Sequence, residues 1–162
     1  MSAADTPHQT SHATALQISG KGVLLRGASR SGKSSIAMRL LDDCRLHTMS
    51  GFLIADDRVF LDKRNDGLYA ISPDELRGLL EIRGLGIVHV DHLKEARLDL
   101  IVDLVPADNF ERYPEEGAQN TIIKDVALAR IHIVERNPDA AAIIRMFLHA
   151  HGADGFVKDI EI

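Results

Sequence analysis

The chain has little that would place it in a membrane, outside the cell or on nucleic acid. None of its apolar runs approaches the length of a bilayer, and its N-terminus has no basic start followed by an apolar stretch. Its single cysteine, Cys44, excludes an internal disulfide and, in a helix-like stretch, reads as a small core residue. A net charge of −5 excludes a surface built for nucleic acid. These absences predict a cytoplasmic protein that binds neither nucleic acid nor membrane. Internal repeats and low-complexity linkers are missing too, and 162 residues at 45% apolar and 27% charged suit one globular domain. The most local absence is of acid. No Asp or Glu stands between Asp5 and Asp42, an interval that holds Lys21, Arg26, Arg30, Lys33 and Arg39. A cationic segment inside an acidic protein is either a solvated basic face or an anion site.

Residues 1–11 are small and polar and predict a flexible N-terminal segment, with the domain spanning 12–162. Gly22–Leu25 reads as a buried strand, and Ile36, Leu40, Leu41 and Cys44 recur at helical spacing from Lys33 onward. Phe52–Ala55 reads as a second buried strand. Val59–Lys63 and Leu68–Ile71 flank Asn65-Asp66-Gly67 as a hairpin. Further strands are expected at Ile87–Val90, Leu98–Leu104, Thr121–Ile123 and Val126–Ile133. A last helix is marked by Asn137 as cap, Pro138 in its first turn, an apolar face of Ile143, Ile144, Phe147 and Leu148, and Gly152 beyond its end. The fold class is α/β, a single domain with a mixed sheet flanked by helices.

Gly27-Ala28-Ser29-Arg30-Ser31-Gly32-Lys33-Ser34 matches the P-loop pattern G-x-x-x-x-G-K-[ST]. A chance match in a chain of this length is expected about once in two hundred. The residue types follow from the chemistry. Glycines let backbone N–H groups close around phosphate oxygens, and the helix that opens near Lys33 adds its positive end. Lys33 reaches the β and γ phosphates, and the Ser34 hydroxyl can ligate Mg²⁺. A buried strand before the loop and an amphipathic helix after it supply the required context.

Asp56 and Asp57 end the second buried strand. Ligands of open α/β sheets bind beyond the carboxyl ends of strands, where nucleotide-using enzymes hold Mg²⁺ or orient a nucleophile. Side chains alternate along a strand, so the two carboxylates should diverge. One would face metal and nucleotide, the other the incoming acceptor. Which of them is the base stays open at this point.

Four blocks in order resemble HPr kinase/phosphorylase. They are His12-Ala13-Thr14 with the P-loop after it, Leu53-Ile54-Ala55-Asp56-Asp57-x-Val59, Leu80-Glu81-Ile82-Arg83-Gly84-Leu85-Gly86-Ile87, and Arg112 within Phe110–Pro114. The resemblance covers about residues 10–135, the catalytic domain. Without the long N-terminal domain of the better-known members, the chain is similar to the short alphaproteobacterial form. The resemblance implies an HPr kinase/PEP carboxykinase-like P-loop fold and a hexamer. It implies transfer of a phosphoryl group from ATP, with Mg²⁺, to a serine of the phosphocarrier protein HPr, in regulation of bacterial carbon and nitrogen metabolism. The reverse job is removal of that group by inorganic phosphate, giving pyrophosphate. By the same resemblance Asp57 is base in one direction and acid in the other, His12 and Lys33 lie near the phosphates, Ser34 and Glu81 ligate Mg²⁺, and Arg112 is a catalytic arginine. On chemistry alone, Arg83 or Arg112 can neutralise the moving phosphoryl group.

The sequence departs from the family pattern at Arg30, where a glycine is usual, at Ser35, where an acid is usual, and at Ala129, where a proline is expected. Arg30 either strains the loop or adds a phosphate donor. Two rivals remain: a small-molecule P-loop kinase, for which no arginine-rich lid is evident, and an ATP-sensing regulatory module with weakened catalysis. A GTPase would need an N-K-x-D segment, which is absent.

Overall fold

The computed structural model describes residues 10–115 and 117–150. Along the chain run β1 (Thr10–Ser11), β2 (Ala13–Ile18), β3 (Lys21–Arg26), α1 (Lys33–Leu46), β4 (Gly51–Ala55), β5 (Val59–Arg64) and β6 (Gly67–Ile71). Then follow β7 (Leu79–Ile82), β8 (Gly86–His89), β9 (Glu95–Val105), β10 (Asn120–Ile123), β11 (Val126–Val134) and α2 (Ala140–Ala150). Nine strands form one mixed sheet in the order β1-β5-β6-β9-β3-β2-β4, with β11 joined to β9 and β10 to β11. β3, β9 and β11 run parallel to one another through β9, and the other pairs are antiparallel. β7 and β8 form a separate hairpin. No described helix is long and apolar enough to cross a membrane.

Two apolar layers cover the two faces of this sheet. Leu16, Ile18, Val23, Leu25, Leu53, Leu100, Val102 and Ile133 pack with Ile36, Leu40 and Cys44 of α1 and with Ile144 of α2. Ala13, Ala15, Leu24, Ile54, Leu61, Leu68, Leu98 and Ile101 form the opposite layer. Residues of both parities in β3 are fully buried, as a central strand with two covered faces requires. Each buried leucine or isoleucine contributes roughly 1.5–3 kcal/mol by leaving water.

β9 carries a parity break. Ala96 and Leu98 belong to one layer, Leu100, Val102 and Leu104 to the other. The register against β3 jumps there, from Gly22↔Leu98 to Val23↔Leu100, so Asp99 is the extra residue of a bulge. Its carboxylate accepts the Gly22 N–H at 2.9 Å. A Cβ on Gly22 would lie 1.9 Å from the Arg97 carbonyl oxygen, so only glycine lets β3 approach β9 here.

Several expectations shift. Thr10 and Ser11, expected in the flexible segment, form β1 and pair with β5; residues 1–9 lie outside the described residues. β2 and β7 are strands that the sequence reading did not mark. The hairpin turn is Asn65-Asp66 alone, with Gly67 already paired to Arg64. α2 starts at Ala140, although Asn137 does work at its entry: the side-chain oxygen accepts the Asp139 N–H at 2.9 Å. Gly152 lies outside the described residues.

Candidate active site

The parallel strands β3 and β9 end beside each other, and the chain leaving β3 makes the P-loop. Gly27 must be glycine: a Cβ would sit 2.6 Å from Ser31 Oγ and 2.9 Å from Leu104 Cβ. Arg30 and Gly32 take left-handed backbone, with φ of 68° and 105°. For Gly32 this costs nothing; for Arg30 it costs roughly 1–2 kcal/mol, so the departure from glycine does strain the loop. Ser31 Oγ is buried beneath the loop without a partner among the described residues.

α1 then opens with Gly32 as its cap. That cap offers no side-chain hydrogen bond, and the first turn holds no acidic residue. The positive end of a 14-residue helix therefore faces the loop with no acid of its own first turn to offset it, an arrangement that attracts phosphate. Lys33, only 7% exposed, donates from Nζ to the carbonyls of Gly27 and Ala28, both at 2.9 Å. Burial pushes its ammonium below the usual lysine range, while the charges of Asp57, Asp56 and Glu135 pull it back up.

The paired aspartates diverge, as side-chain alternation requires. Asp56 turns inward. Its Oδ1 accepts Thr14 Oγ1 at 2.8 Å and Ser34 Oγ at 2.9 Å, and Oδ2 lies 3.1 Å from the same serine. Asp57, with φ 69°, turns to the rim and meets His12 Nε2 at 2.6 Å. Its side chain is 70% exposed and that of His12 49%. The antiparallel pairing of β2 with β4 puts His12, Thr14 and the aspartates together.

Between these groups lies a cleft of about 520 Å³. The loop side supplies Ser29, Arg30, Gly32, Lys33 and Ser34. His12, Asp56 and Asp57 face it from the strand ends, and Glu81 and Arg83 reach it from the β7–β8 hairpin. Arg112 is not among the lining residues. It stands on the exposed segment after β9 with its guanidinium 5.8 Å from the Tyr113 ring. Ala28 contributes its carbonyl to Lys33. Thr14 and Arg136 line the cleft without having been singled out as site residues. The triplet His12-Ala13-Thr14 contained a signal for Thr14, since alternation along β2 points residues 12 and 14 the same way. Arg136 had none, as a lone arginine before a helix looks like a surface residue.

The donors suit a magnesium nucleotide. Among the described residues no three of His, Cys, Asp and Glu gather as a metal cage. Mg²⁺ does not need one, since it binds through one or two carboxylates together with substrate phosphates. Ser34 Oγ against both oxygens of Asp56, with Glu81 in the same cleft, is a hard-oxygen set of that kind.

Residues 4–153 match the family model of the HPr serine kinase C-terminal domain. The chain belongs to that family. An HPr kinase/phosphorylase of Thermoanaerobacter sp. (strain X514) is 34% identical over 148 residues, which is 85% of this chain and 47% of that protein. One of Bordetella pertussis is 39% identical over 119 residues, 67% of this chain and 37% of that protein. The chain thus spans about half the length, or less, of the curated relatives it matches. The solved structure of the Hpr(Ser) kinase/phosphatase from Coxiella burnetii matches with a TM-score of 0.74 at 24% identity, over 89% of this chain and 96% of that one. That likeness bears out the P-loop kinase fold.

Proposed function

We propose that this domain transfers the γ-phosphoryl group of ATP to a serine of an HPr-type phosphocarrier protein, and that inorganic phosphate drives the reverse reaction. The observation that carries this reading is the Asp57–His12 pair at the open rim of a P-loop cleft. Membership of the HPr serine kinase family supports it independently. A carboxylate this exposed is reachable by a hydroxyl on another protein, where a small-molecule kinase would enclose its acceptor.

In the forward direction Asp57 accepts the proton of the seryl hydroxyl as its oxygen bonds to the γ-phosphorus and the bond to the ADP oxygen breaks. His12, hydrogen-bonded to Asp57, orients the carboxylate. The α1 N-terminus, the loop amides and Lys33 hold the phosphates, and Arg30 and Arg83 offset their charge. Ser34, Asp56 and Glu81 are the groups that would hold Mg²⁺, which when bound neutralises phosphate charge. In reverse, inorganic phosphate attacks the phosphoserine phosphorus to form pyrophosphate, and the bond to the seryl oxygen breaks as protonated Asp57 returns its proton to that oxygen. Phosphate and ATP then compete for the loop, so their ratio sets the direction. Arg112, whose catalytic part follows from the family resemblance, acts from the exposed segment after β9 on the bound acceptor. By family resemblance we also propose a hexamer.

The test is incubation of the protein with γ-labelled ATP, Mg²⁺ and an HPr-type protein, followed by phosphate and a pyrophosphate assay. Label on one serine, then pyrophosphate, is the expected result. ATP binding without label transfer would favour the nucleotide-sensing module instead. Orthophosphate without pyrophosphate would refute the reversal.

A further inference from the structure

Arg136 lines the cleft from the connection between β11 and α2. Parallel pairing of β11 with β9 aligns Val134 with Val105, and the Glu135 N–H donates to the Val105 carbonyl at 2.9 Å. The chain therefore leaves β11 at the same end of the sheet as the P-loop. The next residue, Arg136, has left-handed backbone with φ 57°. Its N–H donates to the Ser31 carbonyl at 3.1 Å, and its Nε donates to the Arg30 carbonyl at 3.1 Å. An added Cβ on Gly32 would lie 3.7 Å from the Arg136 N and Cα, so the two backbones touch. Arg136 thus grips the loop at the two residues before its second glycine, one of which is the strained Arg30.

A brace needs only the backbone and Nε. A guanidinium has five N–H donors, and no carboxylate among the described residues pairs with this one. Its side chain lines the phosphate cleft. Lys33 meanwhile spends hydrogen bonds on the Gly27 and Ala28 carbonyls. Arg136 is therefore an always-charged donor beside the phosphates, held in place by its own bond to the loop.

We propose that Arg136 contacts the terminal phosphates of the bound nucleotide, while its bonds to the Arg30 and Ser31 carbonyls set the loop that receives them. The inference rests on the reading of the cleft as a nucleoside triphosphate site. It assigns to the β11–α2 connection a residue that senses how many phosphates the ligand carries.

The test compares AMP and ATP binding, with Mg²⁺, in the wild-type protein, Arg136→Asn and Arg136→Lys. Asparagine tolerates the left-handed backbone and keeps the N–H to Ser31, so the fold is retained and thermal melting monitors it. Charged hydrogen bonds of this type correspond to a roughly 10- to 100-fold weaker ATP affinity in Arg136→Asn, with AMP changed by less than about twofold and an unchanged melting temperature. Arg136→Lys should fall between the two, since it keeps the charge and loses the fork. Equal losses for AMP and ATP, or no loss for either, would overturn the proposal and leave a structural brace. A wild-type protein that does not distinguish ATP from AMP would overturn the underlying reading instead.

Discussion

The two sides of the cleft are built differently. On the phosphate side Lys33 is 7% exposed, Ser31 is 1% exposed, and the loop is fixed by carbonyl contacts and by glycines whose Cβ atoms would clash. On the acceptor side the Asp57 side chain is 70% exposed, that of His12 49%, and Glu81 and Arg83 stand on an exposed hairpin. A phosphate is the same small ligand at every turnover, so its site can be rigid and preorganised. On the proposed reading a protein acceptor must enter and leave, which suits groups that stay open. One consequence is that substitutions on the acceptor side should remove chemistry without removing stability.

The largest break of that contrast is Asp57→Asn. It should lower phosphoryl transfer by about 10²–10⁴-fold, the usual worth of a general base, with melting temperature unchanged. Kinetics and calorimetry on the same preparation check this. Glu81→Gln comes next. Loss of a hard carboxylate should raise the Mg²⁺ concentration needed for half-maximal rate by about 10- to 100-fold with little effect at saturating metal, as a metal titration would show. His12→Ala should cost about tenfold in kcat, because Asp57 loses the partner that orients it while remaining a carboxylate.

The smallest effect tests the rigid side. Folded Lys33 gives up its proton more readily than unfolded Lys33, since burial lowers its pKa from 10.5. Between that lowered value and 10.5 the unfolded chain binds more protons, so stability should rise with pH through this alkaline window. Lys33→Met should lack that segment of the pH–stability curve in denaturant titrations.

The phosphate side was legible from its own residues, and the acceptor side chiefly through the family resemblance that named His12, Asp57 and Glu81, all of which line the cleft. Gly27–Ser34 and the helix after it are local: the residues that meet are neighbours along the chain, and the apolar spacing of Ile36, Leu40 and Cys44 matches the face that α1 buries. The Asp56/Asp57 divergence followed from strand alternation, though Asp57 reaches His12 through a left-handed turn that no pattern announces. β2 escaped notice because Ala13–Ile18 mixes small, polar and apolar residues. Its burial comes from lying between β3 and β4, not from its own composition. β7 was read only as part of a family signature. The extent of β9 was hidden by the Asp99 bulge, which breaks the two-residue period. Arg136 depended on the parallel pairing of β11 with β9, which brings residues 106 positions apart into hydrogen-bond contact.

The central claim is that one cleft divides its labour between a phosphate-holding side and a proton-accepting side. ATP binding and phosphoserine formation on an HPr-type protein, measured together for Lys33→Ala and Asp57→Asn, test it most directly. Lys33→Ala should lose both binding and transfer while staying folded, and Asp57→Asn should bind ATP as the wild type does while its transfer falls by about 10²–10⁴-fold. Transfer at the wild-type rate in Asp57→Asn, or ATP binding lost equally in both variants, would contradict the account.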